Sequence, residues 1–299
     1  LEAWQSFHKE TDSILQEHLD VITRQKSDDR PQYDVTVATF GSTAQLPRLL
    51  DMLTRWTGPV DMAVYITSRE DILTFTTFYV NNQSELGTVT FHVLFEKPKS
   101  PDEEKYLPEG VLRNLAMKQI AETDFLIHLN VEYLTNSDCY EILLKMLRTN
   151  PRVRAFLQDR HFMVLPAFES RLDNESVETA PFTKEQVVER RVNGTVDLIP
   201  MPLLEKGVYP TMFGKWSRGG PGDMFVTEYE RGYEPIVLAY RKVIPFYNED
   251  LRGPWYGQVA MMDEANRLNY KLGVLWRAFV YRVDRRADAD PEPFAQEQY

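Results

Sequence analysis

The 299-residue sequence predicts an α/β fold, a parallel or mixed sheet flanked by helices with a less regular half after it. Two observations carry that reading. Between Tyr33 and Leu129, short runs rich in Val, Ile, Thr and Phe alternate four times with stretches whose apolar residues recur at helical spacing. The composition, 43% hydrophobic and 26% charged, is that of an ordinary globular chain long enough to hold a core without disulfides.

The elements follow in order. Residues 1–30 place Trp4, Phe7, Ile14, Leu15, Leu19 and Ile22 at three- and four-residue steps, one apolar helical face. That helix either packs on its own domain or serves as a stem or partner-docking arm; Lys26 to Pro31 ends it. DVTVATF (34–40) reads as a strand, and Leu46, Leu49, Leu50 and Leu53 mark a helix. VDMAVYI (60–66) is a second strand, followed by a helix through Ile72, Phe75, Phe78 and Tyr79. TVTFHVLF (88–95) is a third strand, and Val111, Leu112, Leu115, Ala116 and Ile120 give a third helix. DFLIHL (124–129) is the fourth strand, completing a Rossmann-like unit. Ligands in such sheets bind beyond the carboxyl ends of the strands, so the residues just after Leu129 are where chemistry is expected. Later come strands at HFMVLPAF (161–168) and EPIVLAYR (234–241), a charged stretch at 169–191 and a Gly/Pro-rich loop at 219–222. The polar segment 286–299 reads as a tail or extended arm.

Several function classes are poorly supported. Lys and Arg number 34 against 45 Asp and Glu, a net charge of −11, which disfavours a general nucleic-acid binder. A single cysteine, Cys139, excludes a disulfide framework and a Cys-rich zinc site, and reads as a small buried hydrophobe. No apolar run reaches the roughly 18 residues of a membrane span, and LEAWQSFHKE does not read as a signal peptide. There is no G-x-G-x-x-G, Walker loop, H-E-x-x-H or G-x-S-x-G. Three sequons, at Asn82, Asn174 and Asn193, permit glycosylation in a secretory lumen.

Five blocks resemble the LARGE-type glycosyltransferases, family 49 in the sequence classification. They are DVTVATFGSTAQLPRLLDMLTRWTGPVDMAVYI (34–66), LPEGVLRNLAMKQIAETDFLIHLNVEYL (107–134), VLPAFE (164–169), KGVYPTMFGKW (206–216) with YEPIVLAYR (233–241), and PFYNEDLRGPWYGQVA (245–260). The resemblance covers about five-sixths of the chain. It implies the GT-A fold, with a nucleotide half near 31–135 and an acceptor half near 136–285, and UDP-sugar and Mn²⁺ as cofactors.

The departures from the family pattern lie at its active centre. The family's fourth strand ends in a D-x-D triplet whose carboxylates hold Mn²⁺ against the UDP diphosphate, as a hard dication requires. Here the triplet is Asn130-Val131-Glu132. The family brings a histidine ligand from near its C-terminus; at or near that position stands Arg282, in VLWRAFVYRVDRR (274–286). An arginine cannot ligate a cation. The family's G-x-G-x-N-K turn reads Gly253-Pro254-Trp255-Tyr256-Gly257-Gln258.

These changes favour a catalytically inactive, glycosyltransferase-like protein serving as a structural or accessory subunit of a larger assembly, with no cofactor expected. Other protein subunits would dock through residues 1–30 and 286–299, in an organellar complex. The alternative is an active UDP-sugar transferase of the Golgi or secretory lumen, of xylosyl or glucuronyl type, in which Arg282 and Arg113 bind the diphosphate in place of the metal. Arg277, Arg285 and Arg286 lie nearby in sequence. A sugar- or nucleotide-binding module without turnover is a third reading. Candidate acceptor contacts are Glu169, Trp216, Trp255 and Tyr256; each also has a structural reading, the aromatics as core and Glu169 as a hydrogen-bonding group. Asn136 or Ser137 is expected to cap the helix that follows the triplet, and His128 to be a hydrogen-bonded core residue.

Overall fold

The computed structural model describes residues 33–96, 106–118, 120, 123–172, 175–201, 203–204, 209–251 and 256–283. The two expected arms, 1–30 and 286–299, lie outside the described residues, as do Arg285, Arg286 and Trp255.

The first half folds as the alternation requires. Strands β1 (Val35–Ser42), β2 (Val60–Ile66), β3 (Val89–Phe95) and β4 (Phe125–His128) are joined through helices α1 (Leu46–Leu53), α2 (Arg69–Asn81) and α3 (Glu109–Lys118). All neighbouring pairs among the four strands run parallel. β1 and β2 are buried almost throughout, which explains their near-continuous apolar sequence. Helix α2 starts on a reciprocal cap: the Ser68 hydroxyl accepts from Asp71 N, and the Asp71 carboxylate accepts from Ser68 N.

The main sheet is wider than the sequence reading. Strands β6 (Phe162–Leu165), β9 (Met224–Thr227), β10 (Ile236–Tyr240) and β11 (Leu272–Leu275) extend it to the order β3-β2-β1-β4-β10-β6-β11-β9. It is mixed, because β10 runs antiparallel to both β4 and β6. Its two faces are covered by separate cores. One includes α1, α2, α4 (Cys139–Thr149) and α5 (Pro151–Gln158). The other includes α3, α6 (Lys184–Val192), α7 (Phe213–Arg218) and α8 (Gly257–Arg267).

The expected strand at 161–168 is two strands. Pro166, which has no N–H to give a ladder, separates β6 from β7 (Ala167–Ser170), and β7 belongs to a second sheet. That four-stranded sheet has the order β5-β12-β7-β8, where β5 is Tyr133–Thr135, β8 is Val196–Leu198 and β12 is Val280–Arg282. Its register sets Tyr133, Arg282, Glu169 and Asp197 side by side in one transverse row. The adjacent row, Leu134, Tyr281, Phe168 and Leu198, joins the core on the other face.

Candidate functional site

The triplet stands where the order of the parallel strands reverses direction, beyond the carboxyl ends of β1 and β4. Leu129 N donates to Ala38 O at 3.1 Å, the last rung beside β1, and Tyr133 N donates back to Asn130 O at 3.1 Å, turning the chain into β5. Val131 is buried, and Asn130 and Glu132 are half-buried. With Phe40, Gln45, Leu107 and Glu109 the triplet lines a cavity of about 30 Å³, room for a water or two.

Arg113 closes one end of the triplet. Its helix α3 is held against the 247–249 segment by Asn114, whose amide donates to Tyr247 O at 2.9 Å and accepts from Tyr247 N at 2.8 Å. Gly110 allows that approach: a Cβ there would lie 2.3 Å from Asn248 O. So placed, the buried Arg113 donates to Asn130 Oδ1 at 3.0 Å, to Glu109 Oε2 at 3.3 Å and to Gln258 Oε1 at 3.4 Å. Its guanidinium also lies 4.6 Å from the Phe40 ring centroid and 5.1 Å from that of Tyr247. Burial alone would lower its pKa, but Tyr247 and Glu109 outweigh burial and raise it.

Tyr247 connects this group to His128. Burial pushes its phenol up to about 12, and the protonated hydroxyl donates to Gln258 Oε1 at 2.7 Å. The phenol oxygen is then left to accept from His128 Nδ1 at 2.6 Å. His128 is therefore the Nδ1–H tautomer, and burial first, then Arg113, holds its pKa well below the ordinary value. The expectation of a hydrogen-bonded core histidine holds for Nδ1, whereas Nε2 is buried without a partner among the described residues.

Arg282 closes the other end. Its guanidinium is bonded to the Glu169 carboxylate and lies 3.6 Å from Glu132 Oε1. The side chains of Arg282 and Glu169 are 6% and 7% exposed, and that of Glu132 is 22% exposed. Burial would lower the Arg282 pKa, but Tyr133, Glu169 and Glu132 outweigh it, so the charge is fixed. The row continues to Asp197, which pairs with Arg171 and, at 3.2 Å, with Arg191.

This donor set does not fit a divalent metal. The Asn130 carbonyl oxygen accepts from Arg113, and Glu132 and Glu169 both face Arg282. Among the described residues no cluster of three or more His, Cys, Asp or Glu side chains could hold an ion. Arg113 and Arg282 are already paired with carboxylates. Among the described residues the two guanidiniums face Glu109, Glu132 and Glu169, one net negative charge.

The remaining candidates separate in space. Trp216 corrects one expectation: it is fully buried, donates from Nε1 to Leu275 O at 3.0 Å and packs on Phe168 and Phe279, so no ring face is open to a sugar. Tyr256 is half-buried at the start of α8, and Arg277 is exposed. Asn136 does not cap α4, whose N-cap is Asp138; its amide oxygen instead accepts from Phe279 N at 3.0 Å, tying the start of α4 to β12. Ser137 is exposed, and Cys139 is a buried free thiol, as expected. Sequence reasoning missed Glu109, Phe40, Tyr247 and the part played by Gln258. Glu109 and Arg113 stand four apart on one helix, a pairing signal that was available.

Comparison with known proteins agrees with this architecture. The family model described as glycosyl-transferase for dystroglycan matches residues 100–282, more than half of the chain. The mouse xylosyl- and glucuronyltransferase LARGE1 is 24% identical over 297 residues, covering 98% of this chain and 37% of that protein. A Caenorhabditis elegans glycosyltransferase-like protein LARGE is 23% identical over 257 residues, covering 85% of this chain and 38% of that protein. The chain thus spans a little over a third of the length of these relatives. The crystal structure of GalNAc-T7 with UDP, GalNAc and Mn²⁺ superposes with a TM-score of 0.50 at 9% identity, covering 89% of this chain and 47% of that one, and shows the shared GT-A fold. With its mixed sheet, its triplet beyond β4 and the matched span, this chain belongs to the dystroglycan glycosyltransferase family.

Proposed function

We propose that this chain is a glycosyltransferase-fold protein that does not carry out metal-dependent sugar transfer and acts as a structural or accessory subunit of a larger assembly. The observation that carries this reading is the pairing at the triplet: Arg113 on Asn130 and Arg282 against Glu132 and Glu169. Oxygens that would face a dication already face guanidiniums, and among the described residues the carboxylates around those guanidiniums outnumber them, which is unfavourable for a diphosphate. The xylosyl and glucuronyl transfer in the names of relatives is therefore not carried over. A fold kept without its chemistry remains available as a scaffold.

The test is transfer and hydrolysis of UDP-xylose and UDP-glucuronate with Mn²⁺ and a glycan acceptor. The wild type is expected to release no UDP above background, and Mn²⁺-dependent turnover would overturn the proposal. The pair Asn130→Asp with Glu132→Asp is expected to stay silent unless Arg282→His is added. Robust transfer by the pair alone would contradict the role given to Arg282.

A further inference from the structure

We infer that the β3 edge of the main sheet, together with the outer stripe of α2 beside it, is the face through which two copies of this chain pair. β3 ends the sheet, and among the described residues no strand lies on its far side. Its backbone is set to receive one. Thr88 O accepts from Val60 N at 3.0 Å and Glu96 N donates to Ile66 O at 3.2 Å, so the even-numbered positions bond to β2. The N–H and C=O groups of Phe91, Val93 and Phe95 therefore point away from β2. Sheet edges are usually blunted by charge, proline or shortness. The opposite edge, β9, follows that rule, with four residues between Asp223 and Glu228. β3 has seven residues and no Asp, Glu, Lys, Arg or Pro, and its His92 is taken up by Asp61 at 2.7 Å.

Helix α2 continues the same surface. Leu73, Thr76 and Val80 form one stripe at steps of three and four, and the right-handed crossover from β2 to β3 turns that stripe toward the edge. Leu73 and Val80 are 61% and 55% exposed, apolar side chains where a solvated flank carries polar ones. From Ile72 to Phe95 the only Asp, Glu, Lys or Arg is Glu85, in a chain that is 26% charged. That neutrality selects a second copy as the occupant. With a net charge of −11, two copies repel wherever their charged faces meet, and this strip meets itself without that cost. A two-fold axis at Val93 sets the strands antiparallel, with Phe91 beside Phe95 of the second copy, and uses all of these outward groups. Both α2 helices then lie on one face of a continuous sheet. Pairing of this kind involves neither a metal nor a sugar nucleotide, so the inference goes beyond the proposed function and stands or falls apart from it.

The test is sedimentation of the full chain at about 1–100 μM, with backbone amide exchange of the 89–95 segment followed over the same range. Two variants accompany the wild type. Leu73→Glu with Val80→Glu charges two exposed positions, and Val93→Pro removes an outward N–H without breaking the ladder to β2. The wild type is expected to rise to twice the chain mass, with exchange at 89–95 slowing as it does so. Each variant is expected to keep the wild-type circular dichroism and to need about tenfold more protein to pair, if it pairs at all. If Val93→Pro does not fold, the glutamate pair decides alone. A wild type that stays a monomer throughout overturns the proposal. Slow exchange at 89–95 in that monomer gives the edge to a segment of the same chain, and fast exchange leaves it to a different subunit. A dimer that both variants leave unchanged forms through another face and also overturns it. None of these outcomes bears on transfer or on Mn²⁺, which decide the functional reading separately.

Discussion

Replacing Arg113 with methionine keeps the apolar stem beside Phe40 and Tyr247 and removes only the guanidinium. Three hydrogen bonds go with it, to Asn130, Glu109 and Gln258. Stripping one partner from a buried ion pair costs about 3–5 kcal/mol, chiefly because the other charge is left uncompensated. Glu109 retains 14% side-chain exposure, which lets water recover part of that. The two ring contacts add about 0.5–1 kcal/mol each, and the methionine regains a similar amount in apolar contact. The net expectation is a destabilisation of about 2–3 kcal/mol. Urea unfolding followed by tryptophan fluorescence would read it as a lower midpoint with an unchanged slope. Adding Glu109→Gln should recover about half of the loss, because the stranded carboxylate is gone. An R113M midpoint within about 0.5 kcal/mol of wild type, or no recovery in the double variant, would refute the account of Arg113 as a buried, paired charge.

Two further predictions concern His128 and the glycines. The folded-state pKa of His128 lies well below its ordinary value, so the unfolded chain binds the proton first. Its share of stability is therefore full above about pH 6.5 and falls by up to about 1.4 kcal/mol per pH unit as pH drops below that. The groups against the imidazole are Tyr247, hydrogen-bonded to it, and Arg113, whose charge opposes its protonation. His128→Gln should flatten the slope of stability between about pH 6.5 and 5 in urea titrations; an unchanged slope would assign the pH dependence elsewhere. Gly232 has φ +82°, and a Cβ there would lie 1.8 Å from Leu203 O, whereas Gly194 has φ +76° and open space around it. Gly232→Ala should cost at least about 3 kcal/mol and Gly194→Ala about 1 kcal/mol, since only the first adds a backbone collision to the φ strain. Equal thermal shifts for the two would contradict that separation.

The parts of the fold that were legible in the sequence are those whose signal is local. β1, β2 and β4 are buried on both faces and read as apolar runs, the half-buried edge strand β3 keeps a β-branched and aromatic run, and α1 to α3 carry their spacing in plain view. The small sheet was not legible. β5, β8 and β12 are three residues each, too short for an alternation, and the Arg282–Glu169 contact joins residues 113 apart. Pro166 is the local signal that 161–168 must break, but nothing in the run says that its second half changes sheets. Asn130, Glu132 and Arg282 were identified through the family pattern. What the pattern could not supply is that the arginine faces both Glu169, its register partner on β7, and Glu132, which the turn before β5 brings to it. Trp216 misled because residue type says nothing about which face of a helix meets the core; here it is a fully buried side chain.

The central claim is that the oxygens around the triplet are already committed to guanidiniums, leaving no place for a metal-bridged diphosphate. Calorimetric titration of the chain with UDP, with and without Mn²⁺, tests it most directly. The account predicts no binding heat in either condition. Mn²⁺-dependent binding of UDP would contradict it, and binding of UDP without the metal would return Arg113 and Arg282 to the role of a diphosphate site.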